Sequence, residues 1–412
     1  MGLTSFSTAL SALAANTTAI AVTGNNLANL NTVGFKASEV SFHDLVTQSI
    51  GADLGVTQVG FGVGTPTTMA QFTQGAIQST GSALDAAIQG DGFFVVQNSQ
   101  GDTEYTRAGN FQTDANGNLT TATGEEVMGW TITNGVLNTN APVGPITVPV
   151  GSLAPPQATQ NTSVDLNLDS SDTSGTSFST SVQIYDSEGN AHTLTYTFTL
   201  TNTPNQWTYS VGIPSSDTTP PGTPITGTLT FGSDGQLISP AAGNNPVLNI
   251  TGLNTGAANM NITWNLYNGA TPRITQYAQT SATSAESQDG SPAANLDSVG
   301  LGNGGQILAS YSNGQQVVVG QVAMATIRNP ESLVAVGNNS YQTSAATALP
   351  ALGLPGTGGR GTVQGGAIEA STVDMATEFT NLIVYQRAYE ANAHVVTVAD
   401  QLSQDTINLI QG

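Results

Sequence analysis

Residues 373–393 read Val-Asp-Met-Ala-Thr-Glu-Phe-Thr-Asn-Leu-Ile-Val-Tyr-Gln-Arg-Ala-Tyr-Glu-Ala-Asn-Ala, and apolar or small side chains return along them every three or four positions. The repeat forms two stripes, one made of Met375, Phe379, Leu382, Gln386, Tyr389, Ala393 and Val396, the other of Val384, Ala388, Ala391, Val395, Val398 and Leu402. This spacing predicts a long α-helix. Because it has two apolar stripes, the helix is expected to contact more than one neighbour.

The opening of the chain carries a similar repeat. Its apolar or small residues alternate three- and four-residue steps at Leu3, Phe6, Leu10, Leu13, Thr17, Ile20, Gly24 and Leu27. Such alternation is typical of a coiled-coil seam. An amphipathic helix on a globular core would explain either end alone, but matching helices at both extreme ends favour a pair. We therefore expect helices within residues 1–35 and 361–412 to pair as a coiled-coil-like layer.

Between the two ends the pattern changes from a helical period to a period of two. Thr193-Leu-Thr-Tyr-Thr-Phe-Thr-Leu200 alternates small polar with apolar residues, as a half-buried antiparallel strand does. Glycine and asparagine clusters at 114–118, 186–190 and 233–236 are typical of hairpin turns. The sequence therefore predicts an α+β protein with long terminal helices and a β-rich middle of antiparallel sheets or barrels.

Shifts in composition divide this middle. A Thr/Ser/Pro-rich stretch near 150–180 and a polar stretch near 276–292 bracket one β segment, so we expect one domain to be inserted in another. Within residues 36–79, Gly55, Gly60, Gly62 and Gly64 are expected to break any regular element, and a glycine-rich stretch from Leu352 to Gly366 is expected to isolate the last helix. The expected parts are the N-terminal helix (1–35), an extended connector (36–79), a split β domain (80–145 plus 285–360), an inserted outer β domain (146–284) and the C-terminal helix (361–412).

The charge balance excludes several classes of partner. The chain has 412 residues, with six Lys and Arg residues against 27 Asp and Glu residues and a formal net charge of −21. Nothing in such a chain neutralises a row of phosphates, so neither nucleic acid nor an anionic membrane is an expected partner. Charged residues make up only 8% of the chain, so its surface offers hydrogen bonds rather than ion pairs.

The sequence also bears on export. The chain contains no cysteine, which rules out disulfides and thiolate metal sites. No basic residue precedes Lys36, so the positively charged start of a cleavable secretory signal is missing. No uninterrupted apolar run approaches the ~18 residues of a membrane span, so membrane insertion is not expected. If the protein leaves the cytoplasm, we expect a route that keeps its N-terminus.

The motifs that resemble catalytic or ligand-binding sites lack the neighbouring residues or elements that those sites require. Gly356-Thr-Gly-Gly-Arg-Gly361 has the spacing of a dinucleotide-binding loop but follows a proline and a loop-like run instead of a strand. The Asp-Asn-Gly turns lack the spacing and distal glutamate of calcium loops. His43, His192 and His394 have no second histidine nearby and are expected to be lone surface or packing residues. No catalytic residue, cofactor or metal is therefore assigned, and the protein is not expected to be an enzyme.

Two short segments differ from these patterns. Asn25-Asn-Leu-Ala-Asn-Leu-Asn-Thr-Val-Gly-Phe-Lys36 places four asparagines in seven positions at the end of the first predicted helix, where asparagine caps a helix and tolerates left-handed backbone. Asp91-Gly-Phe-Phe-Val-Val96 is a turn followed by a continuous apolar run, which predicts a strand buried on both faces.

Several motifs together resemble one family. Asn25–Lys36 closely resembles the N-terminal motif shared by the rod, hook and hook-junction proteins of the bacterial flagellum, and Gly81–Phe94 is similar to their glycine-rich strand motif. The run from Val373 to Ile410 is similar to their C-terminal helix. Val164–Asp169 and Val182–Leu194 resemble the additional β domain of the hook branch of this family, which the shorter rod proteins lack.

The resemblance implies a structural subunit of the flagellar hook, which assembles with itself into a curved, flexible tube that transmits motor torque to the filament. Both termini would line a central channel, and the inserted β domain would be outermost. The implied partners are further copies, the distal rod protein, the hook cap, the hook–filament junction protein and the flagellar type III export apparatus, which would carry the chain to the hook outside the cell. The alternatives are a distal rod or hook-junction protein and, in a different class, a secreted β-rich adhesin or surface-layer protein.

Self-assembly is assigned to the helix seams and the family motifs. The assigned residues are Leu3, Phe6, Leu10, Leu13, Ile20, Asn25, Asn26, Leu27, Asn29, Asn31, Gly34, Phe35, Phe379, Leu382, Gln386, Arg387, Tyr389, Ala393, Val396, Ile407 and Ile410. Isolated helices are marginal in water, so both ends are expected to be largely disordered before assembly.

Overall fold

The computed structural model of the protein describes residues 2–45, 47–50, 57–133, 136–151 and 153–411. Two long helices occupy the ends of this range, α1 from Gly2 to Ala28 and α2 from Met375 to Gln411. The side chain of Asp374 accepts the backbone N–H of Thr377 at 2.7 Å and so caps the start of α2. The predicted terminal helices are confirmed, although the second begins well after residue 361.

Short strands connect the helices in the described part of the chain. The strands before residue 150 are β1 (Ser38–Ser41), β2 (Thr47–Ile50), β3 (Thr57–Gly60), β4 (Thr67–Ala70), β5 (Ile77–Ser79), β6 (Ala86–Gln89), β7 (Phe93–Gln97), β8 (Thr103–Thr106), β9 (Phe111–Thr113), β10 (Leu119–Thr121), β11 (Glu126–Thr133), β12 (Val136–Leu137) and β13 (Gly144–Pro145). The next are β14 (Leu153–Ala154), β15 (Asn161–Asp169), β16 (Ser177–Tyr185), β17 (Ala191–Leu200), β18 (Gln206–Gly212), β19 (Ile225–Phe231), β20 (Leu237–Ser239), β21 (Val247–Ile250), β22 (Met260–Trp264), β23 (Tyr267–Asn268), β24 (Thr271–Pro272), β25 (Ile274–Tyr277) and β26 (Ala282–Gln288). The last are β27 (Ala294–Leu301), β28 (Gln306–Tyr311), β29 (Gln316–Val322), β30 (Met324–Thr326), β31 (Val334–Gly337), β32 (Ser340–Gln342), β33 (Ala351–Gly353), β34 (Thr362–Gly365) and β35 (Ala367–Glu369). Single-turn 3-10 helices lie at Ser215–Asp217 and Pro330–Ser332.

The chain forms two compact units, and the first contains both helices. It comprises Met1–Val150, Ser298–Ala309 and Gln316–Gly412. Its main sheet runs in the order β28-β29-β11-β7-β8-β32-β31. In β7, Phe94 packs in one apolar cluster and Phe93 in another, on the opposite face of the sheet. The apolar run after Asp91 is therefore a strand buried on both faces, as predicted.

The second unit comprises Gly151–Asp297 and Ser310–Gln315. One of its sheets runs β16-β17-β18-β19-β20, and the other runs β21-β22-β15-β25 with β26 also paired to β15. The buried rings of Tyr196 and Trp264 lie at the centre of its core, 5.1 Å apart. Pairing is antiparallel, as predicted, except that β15 runs parallel to β22 and β25, because long excursions of the chain separate these strands.

The region predicted to be an extended connector contains regular pairs. β1 pairs antiparallel with β4, and β2 pairs antiparallel with β3. The prediction is wrong because the glycines do not interrupt these ladders. Gly60 ends β3, while Gly62 has a left-handed φ of 100° where its loop passes close to Ser11 of α1. Gly55 lies outside the described residues.

The glycine-rich stretch before α2 does not isolate that helix. β34 pairs with β6 and β35 pairs with β5, so the chain stays attached to its neighbours up to Glu369. A Cβ added at Gly361 would lie 2.4 Å from the carbonyl oxygen of Gln89, and one at Gly365 would lie 1.8 Å from that of Leu301. The glycines permit close approach of backbones, and the expectation of an isolating spacer is wrong.

Helix α1 corrects a further expectation. Its segment Phe6–Ala28 is uncharged, and by length and composition alone it is apolar enough to cross a membrane. A search for an uninterrupted apolar run misses it, because serine, threonine and asparagine alternate with its alanines and leucines. In this structure α1 packs along α2, so part of its apolar surface has a protein partner.

His192 in the second unit is neither lone nor exposed. Its Nδ1 lies 3.0 Å from a carboxylate oxygen of Asp217, and its Nε2 lies 3.3 Å from one of Asp186. Asp186 also accepts hydrogen bonds from Asn190 and from the hydroxyl of Thr255. Burial alone raises the pKa of Asp186, but hydrogen bonds from Asn190, Thr255 and His192 outweigh burial and lower it to about 2.

The depressed pKa of Asp186 gives the second unit a defined acid response. Its stabilisation is fully present above the ordinary value of 3.8 and is lost as the pH falls through about 2. Calorimetry at pH 7 should therefore show that Asp186→Asn lowers the melting temperature of the second unit by several degrees, and that the variant loses less stability than wild type between pH 4 and 2. Glu188→Gln, in the same turn but exposed, should change neither quantity. Equal melting of Asp186→Asn and wild type at pH 7 would contradict this role.

The aromatic core of the second unit makes a second prediction. Trp264→Ala should lower the free energy of unfolding of that unit by about 3–5 kcal/mol, because it removes a large buried ring and leaves a cavity. Urea unfolding followed by circular dichroism measures the change. Val247→Ala, at a half-exposed position of the same sheet, is the control and should shift the free energy by less than about 1 kcal/mol. The prediction is wrong if both variants unfold at the same urea concentration.

Candidate functional site: the helix pair and its junction with the sheets

Helices α1 and α2 pack along each other through small and polar side chains. Among the side chains of α1 that the structure describes, from Phe6 onward, the buried ones are Ala9, Ala15, Asn16, Ala19, Thr23 and Asn26, and all but Ala15 follow a heptad pattern. Nδ2 of Asn26, near the end of α1, donates to Oε1 of Glu378, near the start of α2, at 2.9 Å. The helices therefore run antiparallel. We call Ala9, Asn16, Ala19, Thr23 and Asn26 the small-residue seam.

The large apolar residues predicted to form the seam of α1 lie on a different face. Phe6 and Leu10 are 40% and 54% exposed, and Leu13 is only half-buried. From Leu10 onward, each residue of the predicted apolar repeat comes one residue after a position of the heptad pattern formed by the small-residue seam. One residue corresponds to a rotation of about 100° around a helix, so the two sets lie on different faces. Coiled-coil-like pairing is confirmed, and the large apolar residues, which the sequence assigned to self-assembly, lie beside the buried positions of α1 and not at them. The physical reason is that alanine and asparagine allow closer backbone approach than leucine.

The pair leaves large apolar side chains exposed on both helices. On α2, within the side chains described up to residue 408, the exposed large apolar ones are Met375, Phe379, Ile383, Val384, Tyr389, Val395, Val398, Leu402 and Ile407. Val395, Val398 and Leu402 line an apolar depression together with the buried Ala399. Exposed apolar surface of this extent marks an interaction site. We call these residues, with Phe6 and Leu10 of α1, the exposed apolar stripe.

Where the helices join the sheets, three charged side chains are buried together. Nζ of Lys36 lies 2.6 Å from Oε1 of Glu369, and Nη1 of Arg107 lies 3.3 Å from Oε2 of the same carboxylate. The side chains of Lys36 and Glu369 are completely buried. Lys36 is the only lysine in the chain. We call these three residues the ionic junction.

The ionic junction draws several chain segments together. Lys36 also donates to the carbonyl oxygen of Thr73 at 2.6 Å, and the backbone N–H of Gly75 donates to Oε1 of Glu369 at 2.7 Å. Desolvation is the largest influence on Lys36 and lowers its pKa below the usual value, while the hydrogen bond and charge of Glu369 act in the opposite direction. Charge on this buried ammonium therefore depends on Glu369.

Backbone hydrogen bonds reinforce the same junction. The backbone N–H of Gly34 donates to the carbonyl oxygen of Glu369 at 2.7 Å. The backbone N–H of Thr372 donates to the carbonyl oxygen of Phe35 at 3.1 Å. Gly34 has a φ of 68°, and a Cβ added there would lie 2.6 Å from the carbonyl carbon of Arg107. Only glycine fits this position. The segment after α1 is thereby fixed against the segment before α2.

The residues assigned to self-assembly fall into three surroundings. Asn26 and Gly34 are buried, where α1 and its following turn meet the rest of the first unit. The half-buried ones are Leu13, Ile20, Leu27, Asn29, Phe35, Leu382, Ala393 and Val396. The exposed ones are Phe6, Leu10, Asn25, Asn31, Phe379, Gln386, Arg387, Tyr389 and Ile407. The side chains of Leu3 and Ile410 lie outside the described residues.

Sequence reasoning missed the ionic junction. Lys36 offered a signal, because it is the only lysine and directly follows the asparagine-rich motif. Arg107 and Glu369 offered none, since they lie far apart in the chain and in unrelated local patterns. Glu378 was likewise not identified as the partner of Asn26.

Four family models match the chain in sequence order. They are "Flagella basal body rod protein" at residues 6–36, "Flagellar hook protein FlgE/F/G D1 domain" at 87–167, "Flagellar basal body protein FlaE D2 domain" at 155–291 and "Flagellar basal body rod FlgEFG protein C-terminal" at 364–409. The first and last matches include most of the two helices together with Lys36 and Glu369, and the two middle matches cover residues 87–291 of the β-rich part. This arrangement defines an axial structural protein of the bacterial flagellum.

Full-length relatives are more specific. The flagellar hook protein FlgE of Salmonella typhimurium is 34% identical, over 98% of this chain and 100% of its own length. Those of Escherichia coli and Borreliella burgdorferi are 33% and 31% identical, over 98% and 97% of this chain and 99% and 98% of their own lengths. The chain belongs to the flagellar hook protein family and is a structural subunit of the flagellar hook. The hook interpretation of the sequence is confirmed.

A solved structure agrees with the fold. The crystal structure of Helicobacter pylori flagellar hook protein FlgE2 superimposes with a TM-score of 0.54 at 17% identity, and the match covers 70% of this chain and 99% of that one. At this identity the likeness concerns the fold alone.

The small-residue seam makes a prediction about helix pairing. Ala19 is completely buried, so Ala19→Leu should overpack the seam and cost about 1–3 kcal/mol of helix-pair stability. Hydrogen exchange followed by mass spectrometry should show faster exchange of the α1 amides. Ala14→Leu adds the same side chain at an exposed position of α1 and should leave exchange unchanged. Wild-type exchange in Ala19→Leu would show that the seam does not hold the helices together.

Proposed function

We propose that the chain assembles with further copies of itself through the exposed apolar stripe. The observation that carries this proposal is the division of surfaces on the helix pair, with small residues joining α1 to α2 and large apolar residues facing outward. Helices of 27 and 37 residues span roughly 40 and 55 Å, which is enough to line the wall of a tube. Burying apolar surface contributes about 25 cal/mol per Å², so neighbouring copies gain free energy by covering the stripe.

The assembled tube is a helical polymer that curves and transmits motor torque to the filament. Head-to-tail contacts whose rotation does not close a ring give an open polymer of this kind. Asn25, Asn31, Gln386 and Arg387 are exposed on or beside the helix pair and contribute to the same contacts, whereas Asn26 and Gly34 are buried and act within the chain.

Bending is supported by the hydroxyl surface of the second unit. Opposite each other on β16 and β17, Ser177 and Thr199 lie 2.8 Å apart at their oxygens, and Ser179 and Thr197 lie 3.1 Å apart. Hydroxyl groups exchange hydrogen bonds with water and with neighbours, whereas fixed ion pairs set a register. Contacts made by such surfaces can re-form as the tube changes curvature.

The remaining parts of the proposal follow from family membership. The partners are the distal rod protein, the hook cap and the hook–filament junction protein, and the flagellar type III apparatus exports the chain to the outside of the cell. The absence of cysteine suits this route, because no disulfide impedes transit of an unfolded chain. The role is structural, without catalysis.

A substitution in the exposed apolar stripe tests the proposed assembly. Leu402→Glu places a carboxylate in the stripe at a position that is 61% exposed in the single chain, so the fold should be unchanged. Burying that charge between copies should cost about 2 kcal/mol or more, which raises the critical concentration for tube formation at least about thirtyfold.

Electron microscopy and sedimentation measure assembly, and circular dichroism checks the fold. Gln401→Glu adds the same charge at the preceding exposed residue, outside the stripe, and should assemble at a concentration close to wild type. If Leu402→Glu forms tubes at the wild-type concentration, the stripe is not the assembly surface.

A further inference from the structure

The ionic junction joins a lysine and a glutamate that lie near opposite ends of the chain. Lys36 and Glu369 are 333 residues apart in sequence. Lys36 lies in the short segment after α1, and Glu369 ends β35 shortly before α2. Their ion pair therefore forms only when both terminal segments have docked against the sheets.

Arg107 sets an order for this docking. It lies between β8 and β9, within the sheet region of the first unit. Its guanidinium group lies over the ring of Phe93 and donates a hydrogen bond to the carbonyl oxygen of Gly90, and these contacts hold it there. If the segment of Glu369 docks first, the carboxylate meets Arg107 and the buried charges balance. If Lys36 docks first, two cations meet without an anion, which is unfavourable in a buried site.

A junction that contains Lys36 without Glu369 is disfavoured for the same reason. Removing one partner of a buried ion pair leaves an unpaired charge, which is strongly destabilising, whereas the complete pair adds little net stability over apolar side chains. Buried charges of this kind specify one arrangement of the chain more than they add to its folding free energy. The backbone hydrogen bonds from Gly34 to Glu369 and from Thr372 to Phe35 extend that geometry towards both helices.

We propose that the ionic junction is a two-ended latch, which closes only after both terminal segments have docked, the C-terminal segment first, and which fixes the direction in which α1 and α2 leave the sheets. With the latch open, the sheets remain folded but the helices have no fixed direction. The exposed apolar stripe then cannot register with neighbouring copies. The assembly consequence rests on the proposed function, whereas the latch itself does not.

The chain supplies its own probe of the latch. Because Lys36 is the only lysine, methylation of its side-chain amine by formaldehyde and a borane reductant, read by peptide mass spectrometry, reports whether the junction is closed. In the native full-length chain, Lys36 should react at least tenfold more slowly than in denaturant. Glu369→Gln keeps the side-chain volume but removes the anion, and it should speed the labelling of native Lys36 at least tenfold without loss of the sheet signal in circular dichroism.

Glu378→Gln is the matched control. It makes the same change at the carboxylate that accepts from Asn26, near the start of α2, and keeps an oxygen acceptor there, so Lys36 should stay protected. Protection of Lys36 in Glu369→Gln equal to that in wild type overturns the latch. So does equally fast labelling in both variants, because the helix pair and not the junction would then hold the ends.

A second variant keeps the test decisive if Glu369→Gln does not fold. Lys36→Met preserves the aliphatic stem and leaves Glu369 paired with Arg107, so the C-terminal segment should remain docked. Hydrogen exchange should be faster in residues 29–37 but unchanged in β34 and β35, and the rate of tube formation should fall at least tenfold. Wild-type exchange in residues 29–37 overturns the latch. If Lys36 is labelled as expected in wild type, Glu369→Gln and Glu378→Gln but the wild-type chain forms no tubes, the result supports the latch and counts against the proposed assembly function.

Discussion

Two segments at opposite ends of the chain meet in a buried ion pair, with Nζ of Lys36 2.6 Å from Oε1 of Glu369. Lys36 has no other anionic partner among the described residues, so its charge is unfavourable in a buried site until the C-terminal segment brings Glu369 to it. Several local features follow from this constraint. Gly34 must lack a side chain because its backbone lies against that of Arg107, and the glycines before α2 let their strands approach β6 and the end of β27 closely. The terminal helices are thereby attached to the sheets instead of being separated from them.

The helix pair divides its surface between two tasks. The buried heptad positions of α1 carry alanine, asparagine and threonine, and Asn26 contacts Glu378 of α2 directly. The larger apolar side chains, such as Phe379 and Leu402, remain available to other copies. A pair joined by leucines would be more stable alone but would have used the surface on which a polymer depends. One distribution of residues therefore serves both the contact within the chain and the proposed contact between chains.

Periodicity alone was enough to predict the terminal helices, the alternating strand at Thr193–Leu200 and the hairpin turns, because each depends on neighbours in sequence. It also assigned Phe6 and Leu10, which are exposed in the single chain, to self-assembly. The small-residue seam was missed because alanine and asparagine carry no strong apolar signal. The ionic junction was missed because Lys36, Arg107 and Glu369 meet only through the tertiary fold, and no local pattern connects residues so far apart. The strands beside the glycine-rich stretch were missed because glycine was interpreted as a breaker where it permits close packing.

The central claim is that copies of this chain assemble through the exposed apolar stripe while the small-residue seam stays within each chain. Electron cryomicroscopy of assembled tubes, at a resolution that shows side chains, tests it most directly. The account predicts that Phe379, Val398 and Leu402 are buried against neighbouring copies and that Ala19 still faces α2 of its own chain. Tubes in which the stripe faces water, or in which the seam of α1 packs on a neighbouring copy, would contradict it.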